Sequence, residues 1–586
     1  MAWCASSSMN LVRRFAPILG LLALLALLPV GAQAHPERPA HFPPGTGQVP
    51  TVHFGGPRLI VCTKDLFDFQ KRIARYQPGL KITNEALFGD CLSRGFTSLQ
   101  DAVDHVVQPG TTISILPGVY TEDAYTGPPS GACANLKAPV STAYGMQLLS
   151  YEQQKACPHN QNLVAILGLK NLQIEGTGAS PLDVIIDGRF QKLNTVRADR
   201  ADGAYFRNFT VQRASFNALY VLESDGFVID GMVGRWNLEY GFLTFATDHG
   251  LYSNCEAYGN GDSGIYPGGT SDINKSRGYR VPRYAIEVSH CRSHNNLIGY
   301  SGTGGDSVHV HDSEFDSNTT GATMDSAFPN HPGLPQNHAF FEHNRIHGNN
   351  VDYYRYVRDG TCRKPLLLIG IEKGVVCPAV GPPIGTGVVV AGGNWNTFQA
   401  NWIYDNWREG FRSFWVPAFI RSDYNLGDQF DTSNHDRFIG NHMGVAPNGR
   451  QLPNGLDFWW DGQGVGNCWD AGYFASDPVG LPGCNSPSAS PLNYIPDPGK
   501  AVYGVNCSNY NLRSSAIPAG CDWFDRPVRP GTLAWRWSWL WPLSMLAGVL
   551  VAGATLRRRR AGSPPPRGRR PRRRTGGRPR RPAVRA

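Results

Sequence analysis

Histidine is concentrated in one short part of the chain, where it alternates with aspartate. Eight of the 16 histidines lie between residues 290 and 347. An imidazole can transfer protons near neutral pH and can bind divalent metals, so this segment is the first candidate for chemistry. Val308 and Val310 are apolar and should face a core, so His309 and His311 should point outward from the same strand.

Four similar stretches, which begin at residues 250, 286, 308 and 339, can be aligned by hand. The alignment places His290, Asp312 and His343 in one surface column, and His294 and Asp316 in a second. Two histidines that flank an aspartate can hold a divalent metal, so His290, Asp312 and His343 form the predicted metal set. The competing interpretation is that these residues only bend and cap the turns of a repeat.

The chemistry that such residues would serve is the modification of a polysaccharide. A lyase or epimerase that acts on a uronic acid needs a base, together with a cation that neutralises the carboxylate. Arg280, in the basic insert 273–284, or a bound Ca²⁺ could supply that cation. A hydrolase would need two carboxylates instead. Four aspartates lie near predicted strand ends: Asp248, Asp262, Asp306 and Asp325. The predicted catalytic residues are His290, His294, His309, His311, Asp312, Asp316, Asp262 and Arg280.

These residues must be positioned by a repeat of short strands. The alignment has a period of about 22 residues, measured from Asn296 to Asn318, and asparagine recurs at the same place in each stretch. Three short strands per repeat, separated by polar turns, are typical of a parallel β-helix, whose coils stack about 4.8 Å apart. A β-propeller would need a period of about 40 residues, and a leucine-rich repeat would need regularly placed leucine. The chain shows neither pattern.

Two segments before the aligned stretches resemble a known superfamily. The sequence FTSLQDAVDHVVQPGTTISILPGVYTE begins at Phe96, and NLQIEGTGASPLDVIIDG begins at Asn171. Both resemble the first coils of pectate-lyase-like right-handed parallel β-helix proteins, in which a short amphipathic helix caps the end of the coils. The resemblance implies an all-β, right-handed parallel β-helix over residues 96–475. It does not imply one activity, because the superfamily includes lyases, hydrolases, epimerases and binding proteins.

The catalytic signatures of that superfamily are absent or only partly matched. The chain has no Asp-Asp pair, which the polygalacturonase-type hydrolases carry, and no Asp-Pro-His-Asp run, which the alginate epimerases carry. The run His309-Val310-His311-Asp312 is similar to the Asp-His that follows a strand in pectate lyases, but its order differs. The resemblance therefore predicts the fold and leaves the reaction open.

Cysteine usage indicates an exported protein. Cys4 belongs to the predicted signal peptide, and the other 12 cysteines form couples of sequence neighbours. The chain contains no Cys-x2-Cys pair, which makes a zinc site a poor alternative. We predict six disulfides: Cys62–Cys91, Cys133–Cys157, Cys255–Cys291, Cys362–Cys377, Cys468–Cys484 and Cys507–Cys521.

The charge distribution argues against a nucleic-acid partner. The formal net charge is +9, but 14 arginines lie after residue 556 and two lie before residue 35, with no acid in either stretch. Residues 35–556 therefore carry a net charge of −7. An apolar run after Arg13 and Arg14 predicts a signal peptide, and the uncharged run from Trp537 to Leu556 predicts a membrane helix. That helix is either a retained anchor or a sorting signal that is removed.

The predicted organisation follows from these features. It comprises a signal peptide (1–34), an N-terminal disulfide-containing segment (35–95), the β-helix (96–475), a Cys/Pro-rich stalk (476–533), a transmembrane helix (534–556) and a cytoplasmic Arg-rich tail (557–586). We expect a monomeric, single-pass cell-membrane protein whose extracellular part binds and modifies a polysaccharide. The alternative is a non-catalytic surface protein for carbohydrate binding, adhesion or envelope structure.

Overall fold

The structure is a computed structural model that describes residues 40–137, 140–141, 147–329, 331–470, 474–489, 498–508, 512 and 516–531. The predicted signal peptide, transmembrane helix and Arg-rich tail lie outside the described residues. Within the described ranges, no helix is both long and apolar enough to cross a membrane.

Three parallel sheets run the length of the molecule, and the chain visits them in turn. Sheet 1 contains Arg58–Val61, Thr112–Ile115, Gln173–Gly176, Ala204–Arg207, Asp225–Asp230, Asp248–Ser253, Ile286–Ser289, Val308–His311, Phe340–Glu342, Thr397–Gln399, Arg437–Ile439 and Cys468–Trp469. Sheet 2 contains Gly118–Tyr120, Val184–Asp187, Thr210–Gln212, Val233–Arg235, Glu256–Tyr258, Arg292–His294, Glu314–Asp316, Arg345–His347, Trp402–Tyr404 and His442–Met443. Sheet 3 contains Asn162–Leu167, Asn194–Asp199, Asn217–Leu222, Tyr240–Phe245, Ser263–Gly268, Ile298–Ser301, Thr320–Asp325, Thr386–Ala391, Glu409–Phe414, Leu456–Trp460 and Ser476–Asp477.

This arrangement is a parallel β-helix, as the sequence predicts. Each coil passes from a strand of sheet 1 to one of sheet 2 and then to one of sheet 3, and each strand pairs with its equivalents in the neighbouring coils. The strands begin at Arg58 and end at Asp477, so they extend beyond both ends of the predicted range 96–475. A small antiparallel pair, Val140–Ser141 with Gln147–Leu148, lies outside the three sheets.

Helices are short and lie outside the coils. The α-helices are Leu66–Ile73, Pro78–Arg94, Leu99–Asp104, Tyr151–Ala156, Arg355–Arg358 and Pro498–Ser508. The 3₁₀ turns are Asp123–Tyr125, Gly131–Asn135, Pro158–Asn160, Pro181–Asp183, Thr361–Arg363, Leu366–Leu368, Ile371–Lys373, Ala418–Arg421 and Leu426–Asp428. The helix Leu99–Asp104 closes one end of the core, because it buries Leu99, Ala102 and Val103 against the first coils. Ser98 caps it by accepting a hydrogen bond from the Asp101 N–H.

Period-two alternation along the strands fills the core. In the coil that starts at Val308, the side chains of Val308, Val310, Phe315, Ala322 and Met324 are all fully buried. The polar residues between them on the first strand point outward, since successive strand side chains face opposite sides of a sheet. The apolar face of one coil is covered only by the next coil, which explains why the repeat must stack.

The observed register confirms the alignment made from the sequence. Tyr252 pairs with Val288, Val288 with Val310, and Val310 with Phe341. On sheet 2 the same shift pairs His294 with Asp316. The predicted surface columns therefore exist, because a fixed repeat length converts sequence spacing directly into stacking register.

Asparagine forms a continuous ladder at the turn between sheets 2 and 3. The Asn260 side-chain amide donates to Asn296 Oδ1 at 2.8 Å, Asn296 donates to Asn318 Oδ1, and Asn318 donates to Asn349 Oδ1 at 3.0 Å. Glycine is the second residue of the six consecutive strands of sheet 3 from Tyr240–Phe245 to Glu409–Phe414. At Gly299, a Cβ atom would lie 2.8 Å from Asn318 Nδ2, so a side chain there would break the ladder.

All six predicted disulfides are present. Cys255 and Cys291 occupy equivalent turn positions of adjacent coils, where their Cα atoms lie 4.5 Å apart. The bridge is possible because stacked coils bring like positions within the Cα separation that a disulfide requires.

The described part of residues 498–531 packs against the side of the β-helix. Trp523 and Phe524 share an apolar cluster with Leu297, Ile298 and Tyr354. In addition, Arg408 makes an ion pair with Asp522, with a nitrogen–oxygen distance of 2.8 Å. These residues of the predicted stalk therefore contact the coils through apolar and ionic interactions.

Candidate functional site

Two of the predicted catalytic histidines, His309 and His311, lie on the outer face of sheet 1, where glutamates pair with them. His309 Nε2 lies 2.9 Å from Glu342 Oε1, and His311 Nε2 lies 3.0 Å from Glu287 Oε1. Asp312 contacts His311 Nδ1 at 2.8 Å. Burial lowers the pKa of His309, whereas for His311 burial is outweighed by the hydrogen bonds that the imidazole donates to Asp312 and Glu287, which raise the pKa. Both imidazoles are therefore engaged by neighbouring carboxylates.

The predicted metal set is not assembled as a metal site. Within the described part of the chain, no three or more His, Cys, Asp or Glu side chains converge in a way that could hold a metal ion. His290, Asp312 and His343 do occupy one column of turns, and each adopts a positive φ. The column bends the chain between sheets 1 and 2, which is the competing interpretation that the sequence left open.

The remaining predicted residues lie on other faces. His294 and Asp316 belong to sheet 2, where they pair with Glu256 and Arg292 respectively. Asp262 is buried against the outer face of sheet 3. Arg280 is exposed in the insert. The eight predicted catalytic residues are thus distributed over separate surfaces, because columns that are neighbours in sequence belong to different sheets.

Alanine substitutions can test whether the sheet 1 histidines take part in function. We expect His309→Ala and His311→Ala to change any glycan binding and turnover by less than about 2-fold, because both imidazole rings are already paired with glutamates. Isothermal titration calorimetry and a reducing-end assay would measure this. A loss of binding or turnover of more than about 10-fold in either variant, with an unchanged circular-dichroism spectrum, would indicate that the functional site lies on sheet 1.

A cavity of about 850 Å³ lies at the turns that lead from sheet 3 to sheet 1. Its walls come from successive coils: the insert after Ser263–Gly268, the turn before Val308–His311, and the segment before Phe340–Glu342. The lining side chains that carry its chemistry are Asp272, Lys275, Asp306, His338, Trp395 and His435. We call this the turn cavity.

The basic insert forms one wall of the turn cavity. The Tyr279 hydroxyl donates to the His435 carbonyl oxygen at 2.8 Å, and the Arg437 guanidinium lies 3.6 Å from the centre of the Tyr279 ring. His338 Nε2 lies 3.1 Å from the Gly278 carbonyl oxygen. These contacts hold the insert across three later coils, so that Lys275 lines the cavity.

Asp306 is the most buried carboxylate of the turn cavity, with 1% of its surface exposed. Its Oδ1 accepts the Asn337 N–H at 2.6 Å. Its Oδ2 has no hydrogen-bond partner among the described residues. Burial, reinforced by the neighbouring Asp272 charge, raises the pKa of Asp306 well above its ordinary value. This carboxyl group is therefore suited to carry a proton at a pH where an exposed aspartate is ionised.

Asp272 and His338 face each other across the cavity wall. Their Oδ1 and Nδ1 atoms lie 3.6 Å apart, which is too far for a hydrogen bond. A carbonyl oxygen can only accept, so the Gly278 contact assigns the proton of a neutral His338 to Nε2. In that tautomer His338 Nδ1 is an acceptor, and neither it nor Asp272 Oδ1 has a hydrogen-bond partner among the described residues.

Aromatic rings form the adjoining wall. His338, Trp395 and His435 each precede a strand of sheet 1 by two residues, and all three have positive φ. The rings of Trp395 and His435 stack at 3.8 Å. Phe430, which is 44% exposed, lines the same cavity. Aromatic faces of this kind pack against the C–H surface of a pyranose.

A second polar cluster lies on the outer face of sheet 3. The Tyr266 hydroxyl donates to His331 Nε2 at 2.6 Å, and His331 Nδ1 lies 2.9 Å from the Pro332 carbonyl oxygen. Burial raises the pKa of Asp262 and that of Asp325 to about 6. All four side chains are buried, so we assign this cluster to the contact between sheet 3 and its covering loop.

The raised pKa of Asp262 has a measurable effect on stability. In the unfolded chain an aspartate titrates at about 3.9, so folding takes up a proton between about pH 4 and pH 6. The free energy of unfolding contributed by Asp262 therefore falls as pH rises through that window and stays constant above it. We expect the thermal midpoint to fall less between pH 4 and pH 7 in Asp262→Asn than in the natural chain. Equal slopes in the two proteins would contradict this assignment.

Sequence reasoning found parts of the turn cavity but not the cavity itself. Asp306 appears among the carboxylates near strand ends, and His338 appears in the histidine-rich segment. Asp272 and Trp395 were missed. One signal was present: His338, Trp395 and His435 each stand three residues before a buried phenylalanine. That spacing marks a ring at the same turn of successive coils.

Comparisons with known proteins bear on the fold. No protein-family model matches the chain, and no curated protein matches it significantly. Among solved structures, pectate lyase Pel9A shares 13% identity over 73% of this chain and 84% of its own, with a TM-score of 0.30. The A-module of Azotobacter vinelandii mannuronan C-5 epimerase AlgE4 shares 11% over 63% and 90%, with a TM-score of 0.31. A rhamnogalacturonan lyase shares 11% over 74% and 87%, with a TM-score of 0.30. The parallel β-helix architecture of this chain is shown by its own three stacked parallel sheets.

Proposed function

We propose that this chain is an extracellular protein that binds a polysaccharide in the turn cavity and hydrolyses it by acid–base catalysis. The observation that carries the proposal is the pair of carboxylates, Asp306 and Asp272, that line one cavity in unlike environments. Glycoside hydrolysis requires a proton donor and a base, and enzymes separate the two roles by giving their carboxyl groups different surroundings.

Asp306 is the proposed proton donor. Burial favours the protonated form of this carboxyl group by raising its pKa, and its Oδ2 is buried without a hydrogen-bond partner among the described residues, so a glycosidic oxygen would have to displace the covering atoms to accept its proton. Asp272 is the proposed base, since it is more exposed and lies beside His338 Nδ1. Asp306 would give its proton to the leaving oxygen as the C–O bond breaks, and Asp272 would take a proton from the water that adds to the sugar carbon.

The aromatic wall supplies binding. Phe430 is partly exposed at the cavity, and the Trp395–His435 stack is held by its register on successive coils. Rings fixed on strand ends lose little conformational entropy on binding, so they suit a sugar-binding wall. The extracellular location is part of the proposal, and the six disulfides support it, because such bridges persist in oxidising compartments. Anchoring by residues 534–556 is likewise proposed.

The test is an activity screen on the purified full chain. We expect incubation with a panel of neutral, cationic and uronic polysaccharides to produce new reducing ends, without the absorbance of an unsaturated uronate. Activity should fall as pH is raised through the pKa of Asp306, because its proton is then lost.

Each other outcome of the screen has a definite meaning. Absorbance of an unsaturated uronate would contradict hydrolysis and show that the reaction is an elimination. Binding without any new reducing end or unsaturated product would contradict catalysis and favour the non-catalytic surface protein. The absence of both binding and reaction with every polysaccharide would contradict the proposed function as a whole.

A further inference from the structure

The turn cavity presents hydrogen-bond acceptors to a ligand. The contact of His338 Nε2 with the Gly278 carbonyl oxygen leaves Nδ1 as a lone pair, and Asp272 Oδ1 lies 3.6 Å away on the same wall. Neither atom has a hydrogen-bond partner among the described residues. His338 is 3% exposed, so a ligand that donates a hydrogen bond to this nitrogen would satisfy a buried group that is otherwise unpaired.

The wall next to this pair carries further acceptors. Ser271 Oγ, 8% exposed for the residue, also lacks a partner in the described chain. Asp306 in its ionised form repels an anion, and in its protonated form its hydrogen is used by the glycosidic oxygen under the proposed mechanism. With Asp431, three carboxylates line the cavity.

Cationic groups available to an anionic ligand are few. Lys275 is the one lysine or arginine among the described lining residues. Nearby guanidinium groups are already engaged: Arg421 pairs with Asp431 at 3.0 Å, and Arg283 pairs with Asp248 at 2.7 Å. Arg437 lies over the Tyr279 ring. The exposed Arg280 of the insert is not among the lining residues, so no arginine fork of the kind that binds carboxylates in two-point fashion lines the described cavity.

We propose that the turn cavity selects sugar units that present hydrogen-bond donors and carry no carboxylate, which are neutral or amino sugars rather than uronic acids. The inference rests on the proposed function and names its substrate class. A sugar hydroxyl can donate its hydrogen to Asp272 Oδ1 or to His338 Nδ1, and an ammonium can donate to both, whereas a uronate adds a negative charge beside the Asp272 carboxylate. The net charge of −7 on residues 35–556 acts in the same direction at long range.

Calorimetric titration of the full chain with three hexasaccharides tests this selection. The probes are a neutral β-1,4-glucan, a β-1,4-linked glucosamine oligomer and an oligogalacturonate, each measured at two salt concentrations. We expect the neutral or the amino oligomer to bind at least 10-fold more tightly than the oligogalacturonate. N-acetylation of the amino oligomer shows whether the hydrogen-bond donor is the ammonium or a hydroxyl, because it removes the ammonium and keeps the hydroxyls.

Two variants report on the same point with the preferred ligand. Asp272→Asn should weaken binding by about 10-fold. The amide of Asn presents to the ligand either its NH₂ group, which is a donor, or an uncharged oxygen, which is a weaker acceptor than a carboxylate oxygen. Lys275→Ala should weaken binding of the oligogalacturonate more than binding of the preferred ligand, because only the oligogalacturonate has a carboxylate for Lys275 to contact. Glu152→Gln, an exposed substitution on the separate helix Tyr151–Ala156, is the control and should have no effect.

The outcomes separate this inference from the proposed function. Preferential binding of oligogalacturonate, whether lost in Lys275→Ala or dependent on added Ca²⁺, would overturn the selection and leave polysaccharide binding intact. Failure of all three oligomers and of the polysaccharide panel to bind would remove both. Equal binding of all three oligomers would also overturn the selection. This comparison uses the unsubstituted chain, so its result does not depend on whether a variant folds.

Discussion

Replacing Asp306 by Asn should lower kcat/KM for the hydrolysed polysaccharide by about 100-fold or more, the contribution typical of a general acid. The amide keeps the shape of the side chain and an oxygen that can accept the Asn337 N–H. It has no acidic proton to transfer. Because burial disfavours the ionised carboxylate, the substitution removes an unfavourable charge state and should leave the thermal midpoint unchanged or raise it.

The combination of lost activity and retained stability distinguishes a catalytic carboxyl from a structural one. Initial rates of reducing-end formation and thermal unfolding should be measured on the same preparations. Asp306→Asn should also remove the fall in rate at high pH, since no proton remains to be lost. A variant that keeps more than about a third of the natural rate would exclude Asp306 as the proton donor.

The largest expected effect on stability comes from the asparagine ladder. Asn318 is fully buried; its Oδ1 accepts the Asn296 N–H at 2.8 Å, and its Nδ2 donates to the Ser293 carbonyl oxygen at 3.1 Å. Asn318→Ala leaves both backbone groups buried without a partner. Each such group costs about 1–3 kcal/mol, so the free energy of unfolding should fall by about 3 kcal/mol or more.

Guanidinium-induced unfolding, followed by circular dichroism, measures this loss. Asn448→Ala is a suitable comparison, because Asn448 is exposed and accepts only the nearby Arg450 N–H. Its effect should stay near 0.5 kcal/mol, as for most surface substitutions. If Asn318→Ala were no more destabilising than Asn448→Ala, the ladder would be a consequence of the coil geometry rather than a cause of it.

The histidine-rich segment shows why the predicted site and the observed cavity differ. The alignment placed His290, Asp312 and His343 in one column correctly, as the register shows. It also stacks Glu287 on His309 and Glu342 on His311, but it does not show that the carboxylates of Glu287 and Glu342 contact the imidazoles of His311 and His309. The sequence therefore identified residue types that suit catalysis, but the glutamates that pair with these histidines come from adjacent coils.

The turn cavity could not be assembled from the repeat. Asp272 and Lys275 lie in an insert that interrupts the period, and Asp306, His338 and Trp395 lie in turns whose lengths differ from coil to coil. Periodicity predicts positions that recur, and the insert recurs nowhere. Its path across later coils depends on the contacts of Tyr279 with His435 and Arg437, more than 150 residues further along the chain.

The sequence by itself determined the repeating architecture of this protein. The period, the asparagine positions and the cysteine couples specify coil, ladder and disulfides, because stacking converts a constant spacing in sequence into a constant spacing in space. Only the tertiary structure decided which polar side chains share a cavity. Asp272, Asp306 and His338 meet there because inserts of unequal length fold back over the coils, and the unmet lone pairs that define the site appear only once those inserts are in place.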